Sequence, residues 1–125
     1  MRAHGQQSEA KVTIYVPSGK LNWFVNNGSW EDGSETLEQH TWSHVVATRV
    51  SSTRYFYVDG VQTNSQGSHT VDYVASRPRI GARANLYGPQ MWEGNIPIVR
   101  IYKGKGFTEE DAKHNYNAVR GRFGV

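Results

Sequence analysis

Residues 41–60 read TWSHVVATRVSSTRYFYVDG, and this stretch decides the fold. Its first half alternates, with Trp42, His44, Val46, Thr48 and Val50 on one face of a strand and Ser43, Val45, Ala47 and Arg49 on the other. Apolar groups stand on both faces, so the strand is expected to be covered on two sides. A polar break, Ser51-Ser52-Thr53, separates it from a second alternating run in which Phe56 and Val58 face one way and Tyr55 and Tyr57 the other. All four are types favoured on a pleated surface. Asp59-Gly60 closes the run as a tight hairpin turn, because positive φ at two successive positions costs little only for Asn, Asp and Gly. Val61 starts the return strand.

Towards the N-terminus, Val12 to Val16 alternates and Pro17-Ser18-Gly19 turns it, through a fixed φ, a side-chain acceptor and a residue suited to positive φ. Lys20 to Asn26 returns with Leu21, Trp23 and Val25 on one face, and Asn26-Asn27-Gly28-Ser29 is another turn. Trp30 to Gln39 is acidic and irregular and reads as a loop or a weakly paired edge strand. Residues 1–10 form a polar arm ahead of a single domain over residues 11–125.

Towards the C-terminus, Val61 to Thr63 leaves the turn, Asn64 to Gly67 is loop, and His69 to Val74 pairs at an edge. Arg77 to Arg83 is a strand whose Pro78 must sit at its start or on an unpaired edge. Ala84 to Pro89 is a loop carrying Tyr87. Trp92 to Tyr102 is the last long strand, with Gly94 and Pro97 marking a bend or bulge at a sheet corner. A helix follows, capped by Thr108 with Asp111 completing a capping box, Glu109 and Glu110 at the positive end of its dipole, and a stop at Gly121. Ala112, Tyr116 and Val119 share a face that packs across the mouth of the sheets. The fold class is all-β, an antiparallel β-sandwich with one short C-terminal helix.

With 125 residues the chain holds one core. Thirteen glycines and four prolines suit a turn-rich β protein. No apolar run reaches the length of a membrane span, and the segment MRAHGQQSEAKV has no signal-peptide core, so a soluble protein is expected and any export must take another route. The absence of cysteine removes disulfides and thiolate metal sites together. A net charge of +3 and a pI near 9.3 do not amount to a nucleic-acid footprint, since eleven acids are interleaved with fourteen bases. The bases that gather are Arg77, Arg79, Arg83, Arg100, Lys103 and Lys105. They form either a solvated face or a contact surface for an acidic glycan or an acidic patch on a partner protein.

The runs WSHVVATR and YFYVDGV resemble the W-H-H-V-A-V-T-R and L-Y-V-D-G-V segments of laminin-G-like domains, within the concanavalin A-like lectin/glucanase superfamily. The likeness continues through Arg79 to Arg83, Trp92 to Ile96, Val99 to Tyr102 and the helix from Thr108 to Ala118. It implies a jelly-roll sandwich. The closing NYNAVRGRFGV resembles the end of laminin-G-like modules of tailed-phage structural proteins, and Pro97-Ile98 stands where extracellular members often carry Asp-Glu. That second resemblance implies a virion rather than a secreted adhesin.

Catalysis is not expected. Glucanases of this superfamily place carboxylates as E-x-D-x-E on one strand, within about 5 Å of each other. Here Glu31-Asp32-Gly33-Ser34-Glu35 has glycine where the motif needs an acid and reads as a surface loop. His4, His40, His44, His69 and His114 lie far apart, and His44 inside a strand reads as a half-buried, hydrogen-bonded imidazole. Asp59 resembles a calcium ligand at the sandwich rim, but the turn already accounts for it, and neither metal nor cofactor is expected. Sugar binding needs aromatic faces beside planar polar groups. Trp30 and Tyr87 with Arg83 and Asn85 are the candidate contacts, joined by Arg77 and Arg79 for an anionic ligand or partner. Trp92 reads as a core aromatic.

Only about forty residues precede Trp42, fewer than the family's full sandwich carries, so an open edge or an uncovered apolar face is expected. The chain is therefore read as a homo-oligomer or as a subunit docked on capsid or other virion proteins. Its expected function is that of a non-enzymatic decoration or cement protein at the virion surface. The alternative is an extracellular or virion-borne lectin-like module that attaches to host glycans.

Overall fold

The computed structural model describes residues 12–15, 19–25, 31–66, 80–82 and 92–125. Six antiparallel strands and one helix occupy them: β1 (Val12–Tyr15), β2 (Lys20–Val25), β3 (Glu31–Thr36), β4 (Val45–Val50), β5 (Thr53–Val58), β6 (Val61–Gln66) and α1 (Glu109–Phe123). The strands form two three-stranded sheets, ordered β1-β2-β3 and β4-β5-β6, with β3 passing close to β6.

The second sheet is built as its local chemistry demands. A two-residue connection, Ser51-Ser52, with Ser51 at φ 56, joins β4 to β5, so Thr53 belongs to the strand and pairs with Val50. Asp59 at φ 51 and Gly60 at φ 83 form the turn from β5 to β6, as the Asp-Gly pair requires. β5 lies between its two partners and is covered on both faces: Arg54 and Phe56 are buried on one, Tyr57 on the other. β4 is half-buried on both faces, with Thr48 fully buried.

The face carrying Thr48 and Tyr57 receives the C-terminal segment. Phe107 is buried there, its backbone N–H donating to Thr48 Oγ1 at 3.0 Å and its carbonyl accepting from the Tyr57 hydroxyl at 3.3 Å. Tyr102 packs edge-on against the Phe107 ring at 4.7 Å. Gly106 lies so close to β4 that an added Cβ would stand 2.5 Å from Val50 Cγ2. Beyond it, Thr108 and Asp111 form the expected capping box: Thr108 N–H donates to Asp111 Oδ2 at 3.0 Å and Asp111 N–H to Thr108 Oγ1 at 3.2 Å. These bonds, with Lys105 Nζ 3.0 Å from Asp111 Oδ1, hold the Asp111 carboxyl below its ordinary pKa. Ala112 is fully buried, with Tyr116 and Val119 half-buried on the same face. The helix backbone seats against the hairpin turn, where a Cβ on Gly60 would meet Lys113 Cα at 2.9 Å.

Several expectations are corrected. β4 starts at Val45 rather than near Trp42, because the His44 N–H is taken by the Asp59 side chain. Of the two alternatives for residues 30–39, the structure takes the edge strand over residues 31–36, paired to β2 across a register shift, so Glu31 to Glu35 is not the surface loop the carboxylate reading gave. β6 continues to Gln66 instead of ending at Thr63; a bulge at Thr63 restores pairing of the polar residues Asn64, Ser65 and Gln66 with β5. Gly81 bends at φ 78 inside the expected strand Arg77 to Arg83. Trp92 to Tyr102 forms no strand: Gly94, at φ 137, bends it, and Pro97 lacks a donor. α1 runs past Ala118 and through Gly121 to Phe123, since Gly124, at φ 70, is the residue that adopts the left-handed cap. The arm 1–10, the turn 26–29, the edge strand 69–74 and the loop 84–89 lie outside the described residues.

The seat of Phe107 is testable. Thr48→Val leaves a buried N–H without its acceptor and should cost about 1–3 kcal/mol in denaturant unfolding. Gly106→Ala should cost a similar amount through overpacking, about 1–3 kcal/mol, and Val50→Ala in the same chain should recover part of it.

Candidate functional site

Two surfaces stand out among the described residues, and both follow from how the C-terminal segment is seated. The first is the mouth of the β5–β6 hairpin. Continuing the β4–β5 register past Val45↔Val58 sets His44 opposite Asp59. The two are joined twice: Asp59 N–H donates to the His44 carbonyl at 2.9 Å, and His44 N–H donates to Asp59 Oδ1 at 2.8 Å. α1 closes the other side, with Tyr116 6.1 Å from the His44 ring and Phe123 4.9 Å from the Trp42 ring. An open cleft of about 290 Å³ remains between this rim and residues 36–38. Trp42, Asp59, Glu38, Thr41 and Ser43 line it, with Leu37 and Val58 supplying apolar wall.

His44 is half-buried beneath that rim. Burial lowers its pKa below 6.5, Asp59 opposes the shift, and the positive charge of Arg100 adds to it. Its Nδ1 is buried without a hydrogen-bond partner. This matches the imidazole expected from sequence in its burial; the bond it makes is through its backbone.

The second surface is the run from Trp92 to Tyr102. Trp92, Ile96, Val99, Ile101 and Tyr102 are exposed there, with Ile101 79% accessible, and Ile80 is exposed as well. Trp92 was expected in the core. Instead its N–H donates to the Gly81 carbonyl at 2.7 Å, and its indole lies over Gly94, whose added Cβ would stand 3.2 Å from Nε1. Of the gathered bases, Arg100 and Lys103 are exposed beside this run, while Lys105 is engaged with Asp111 and the Phe107 ring.

The candidate contacts Trp30, Arg77, Arg79, Arg83, Asn85 and Tyr87 lie outside the described residues. Among the described residues no group of three His, Asp or Glu side chains is placed to hold a metal ion. No helix described is long and apolar enough to cross a membrane. Glu31 and Glu35 belong to β3.

A laminin-G-type family model, described as the concanavalin A-like lectin/glucanases superfamily, matches residues 2–111. The chain belongs to that superfamily. The concanavalin A-like domain therefore accounts for nearly all of the sequence, including the strands β1 to β6 and the start of α1. No curated protein matches the chain. Among solved structures, an S-layer domain-containing protein (residues 221–444) from Clostridium thermocellum ATCC 27405 is similar at 16% identity and a TM-score of 0.47, over 78% of this chain. The matched part is 52% of that structure, about half its length.

Sequence reasoning passed over Trp42 and Glu38 as lining of a cleft. The signal was present in the hairpin arithmetic: once Ser51-Ser52 is a two-residue connection, the β4–β5 register sets Trp42 to His44 beside Asp59. Assigning Trp42 to a strand concealed this.

The pH dependence of this site has a definite sign. With its folded pKa below the unfolded value, His44 contributes stability that is complete above about pH 6.5 and declines as pH falls from there to the lowered folded pKa. Thermal unfolding of the wild type followed from pH 7.5 to 5 should show this decline, and His44→Gln should flatten the His44 part of it.

Proposed function

We propose that this concanavalin A-like domain is a non-enzymatic structural module of a phage virion, a decoration or cement subunit that stabilises capsid or tail neighbours at the virion surface. The observation that carries the reading is the exposed apolar run of Trp92, Ile96, Val99, Ile101 and Tyr102. Apolar surface gathered on one segment is characteristic of an interface. The C-terminal NYNAVRGRFGV and Pro97-Ile98 supply the phage setting. In this reading the two sheets belong to an antiparallel jelly-roll sandwich, copies of the chain or virion proteins cover the run, and the arm 1–10 reaches a neighbour.

Lectin-like attachment to host glycans is the second reading, on a virion or an extracellular protein. It is favoured by the superfamily and uses Trp30 and Tyr87 with Arg83, Asn85, Arg77 and Arg79 as contacts. Hydrolysis has no support, because Gly33 stands where the glucanase pattern needs an acid.

Light scattering on the purified protein separates the readings. The structural reading predicts a mass that is a multiple of 14.1 kDa and a return towards the monomer in the double variant Val99→Asp, Ile101→Asp. A wild-type monomer, together with retention on a glycan array that is lost in Trp30→Ala and Tyr87→Ala, would replace it with the lectin reading.

A further inference from the structure

We propose that the cleft at the hairpin mouth receives one basic side chain, the ammonium of a lysine or the guanidinium of an arginine, presented by a partner protein. Four features converge on this chemistry. Trp42 is 37% exposed at the cleft and fixed by its ring contact with Phe123 at 4.9 Å, so an aromatic wall is in place before anything binds. Cations are attracted to the face of an indole.

Glu38 and Asp59 line the same cleft, and among the described residues no lysine or arginine forms an ion pair with either. Asp59 spends one oxygen on the His44 N–H, which leaves the other available. Thr41 Oγ1 donates to the Glu38 carbonyl at 2.9 Å, fixing the chain at Glu38 without using its carboxylate. Arg120, close by through its 3.0 Å bond to the Val125 carbonyl, is held there and over the Tyr116 ring.

Two carboxylates without an ion-pair partner among the described residues, in a chain of net charge +3, give the cleft a sign opposite to that of the whole molecule. A neutral sugar would leave that charge uncompensated, and an anion would be repelled. Size points the same way: about 290 Å³ is at the lower end of ligand pockets, roughly 300–1,000 Å³. That suits a single side chain better than an oligosaccharide. Leu37 and Val58 offer apolar wall to the alkyl stem, as long basic side chains prefer.

The inference rests on the chain being a binding module, but its test is separate from the light-scattering test of assembly, so each can fail alone. The full chain is titrated with N-acetyl-arginine methylamide and N-acetyl-lysine methylamide while the Trp42 indole N–H and Asp59 amide resonances are followed. Saturable shifts that weaken at high salt are expected, with the neutral isostere N-acetyl-norleucine methylamide producing none. Glu38→Gln and Asp59→Asn should each weaken binding about fivefold; asparagine keeps both the positive φ and the acceptor oxygen, so the turn survives. Absence of saturation, or equal shifts with the norleucine compound or a methyl glycoside, would overturn the proposal.

Discussion

The structure depends on the two hydrogen bonds that hold the Phe107 backbone. A peptide unit buried against a sheet face must find partners for both its N–H and its carbonyl, since each costs about 1–3 kcal/mol if left unpaired. Thr48 and Tyr57, on adjacent strands and one face, provide the acceptor and the donor. Their positions in β4 and β5 thus fix where the C-terminal segment lands. Gly106 lets the backbone come close enough for the bonds to form, and Thr108 starts the helix immediately afterwards.

Everything at the hairpin mouth follows from that landing. α1 leaves the sheet in a direction that brings Lys113 onto Gly60, Tyr116 towards His44 and Phe123 onto Trp42. The indole is thereby held at the edge of a cleft instead of entering a core. On the other side of Phe107, Tyr102 meets the Phe107 ring, and Ile96, Val99 and Ile101 of the same run are exposed. One anchoring residue therefore sets out both an acidic, aromatic-walled cleft and an apolar run, surfaces of opposite character.

The features legible in the sequence are those decided within a few residues. The Asp59-Gly60 turn and the capping box of Thr108 and Asp111 are local chemistry, and the antiparallel strands follow from period-two alternation. What was misjudged needed knowledge of a partner. β6 extends through Asn64, Ser65 and Gln66 because β5 offers a ladder, though their propensities argue for loop. Ile96 to Tyr102 has strand-like residues but no strand among the described residues. Two glycines stood near the end of α1, and only the backbone reveals that Gly124 and not Gly121 takes positive φ. For the candidate site, the hairpin register contained the neighbourhood of Trp42 and Asp59, whereas the approach of Glu38 depends on a chain segment that no local pattern ties to the hairpin.

Native-state hydrogen exchange at the Phe107 amide tests the central claim most directly. If Phe107 is clamped between Thr48 and Tyr57, its amide should exchange as slowly as the β4–β5 ladder amides of Thr48 and Tyr55, and α1 should be protected with it. Exchange as fast as that of the exposed neighbour Gly104, with the β4–β5 ladder still protected, would show that the C-terminal segment is not anchored to this sheet.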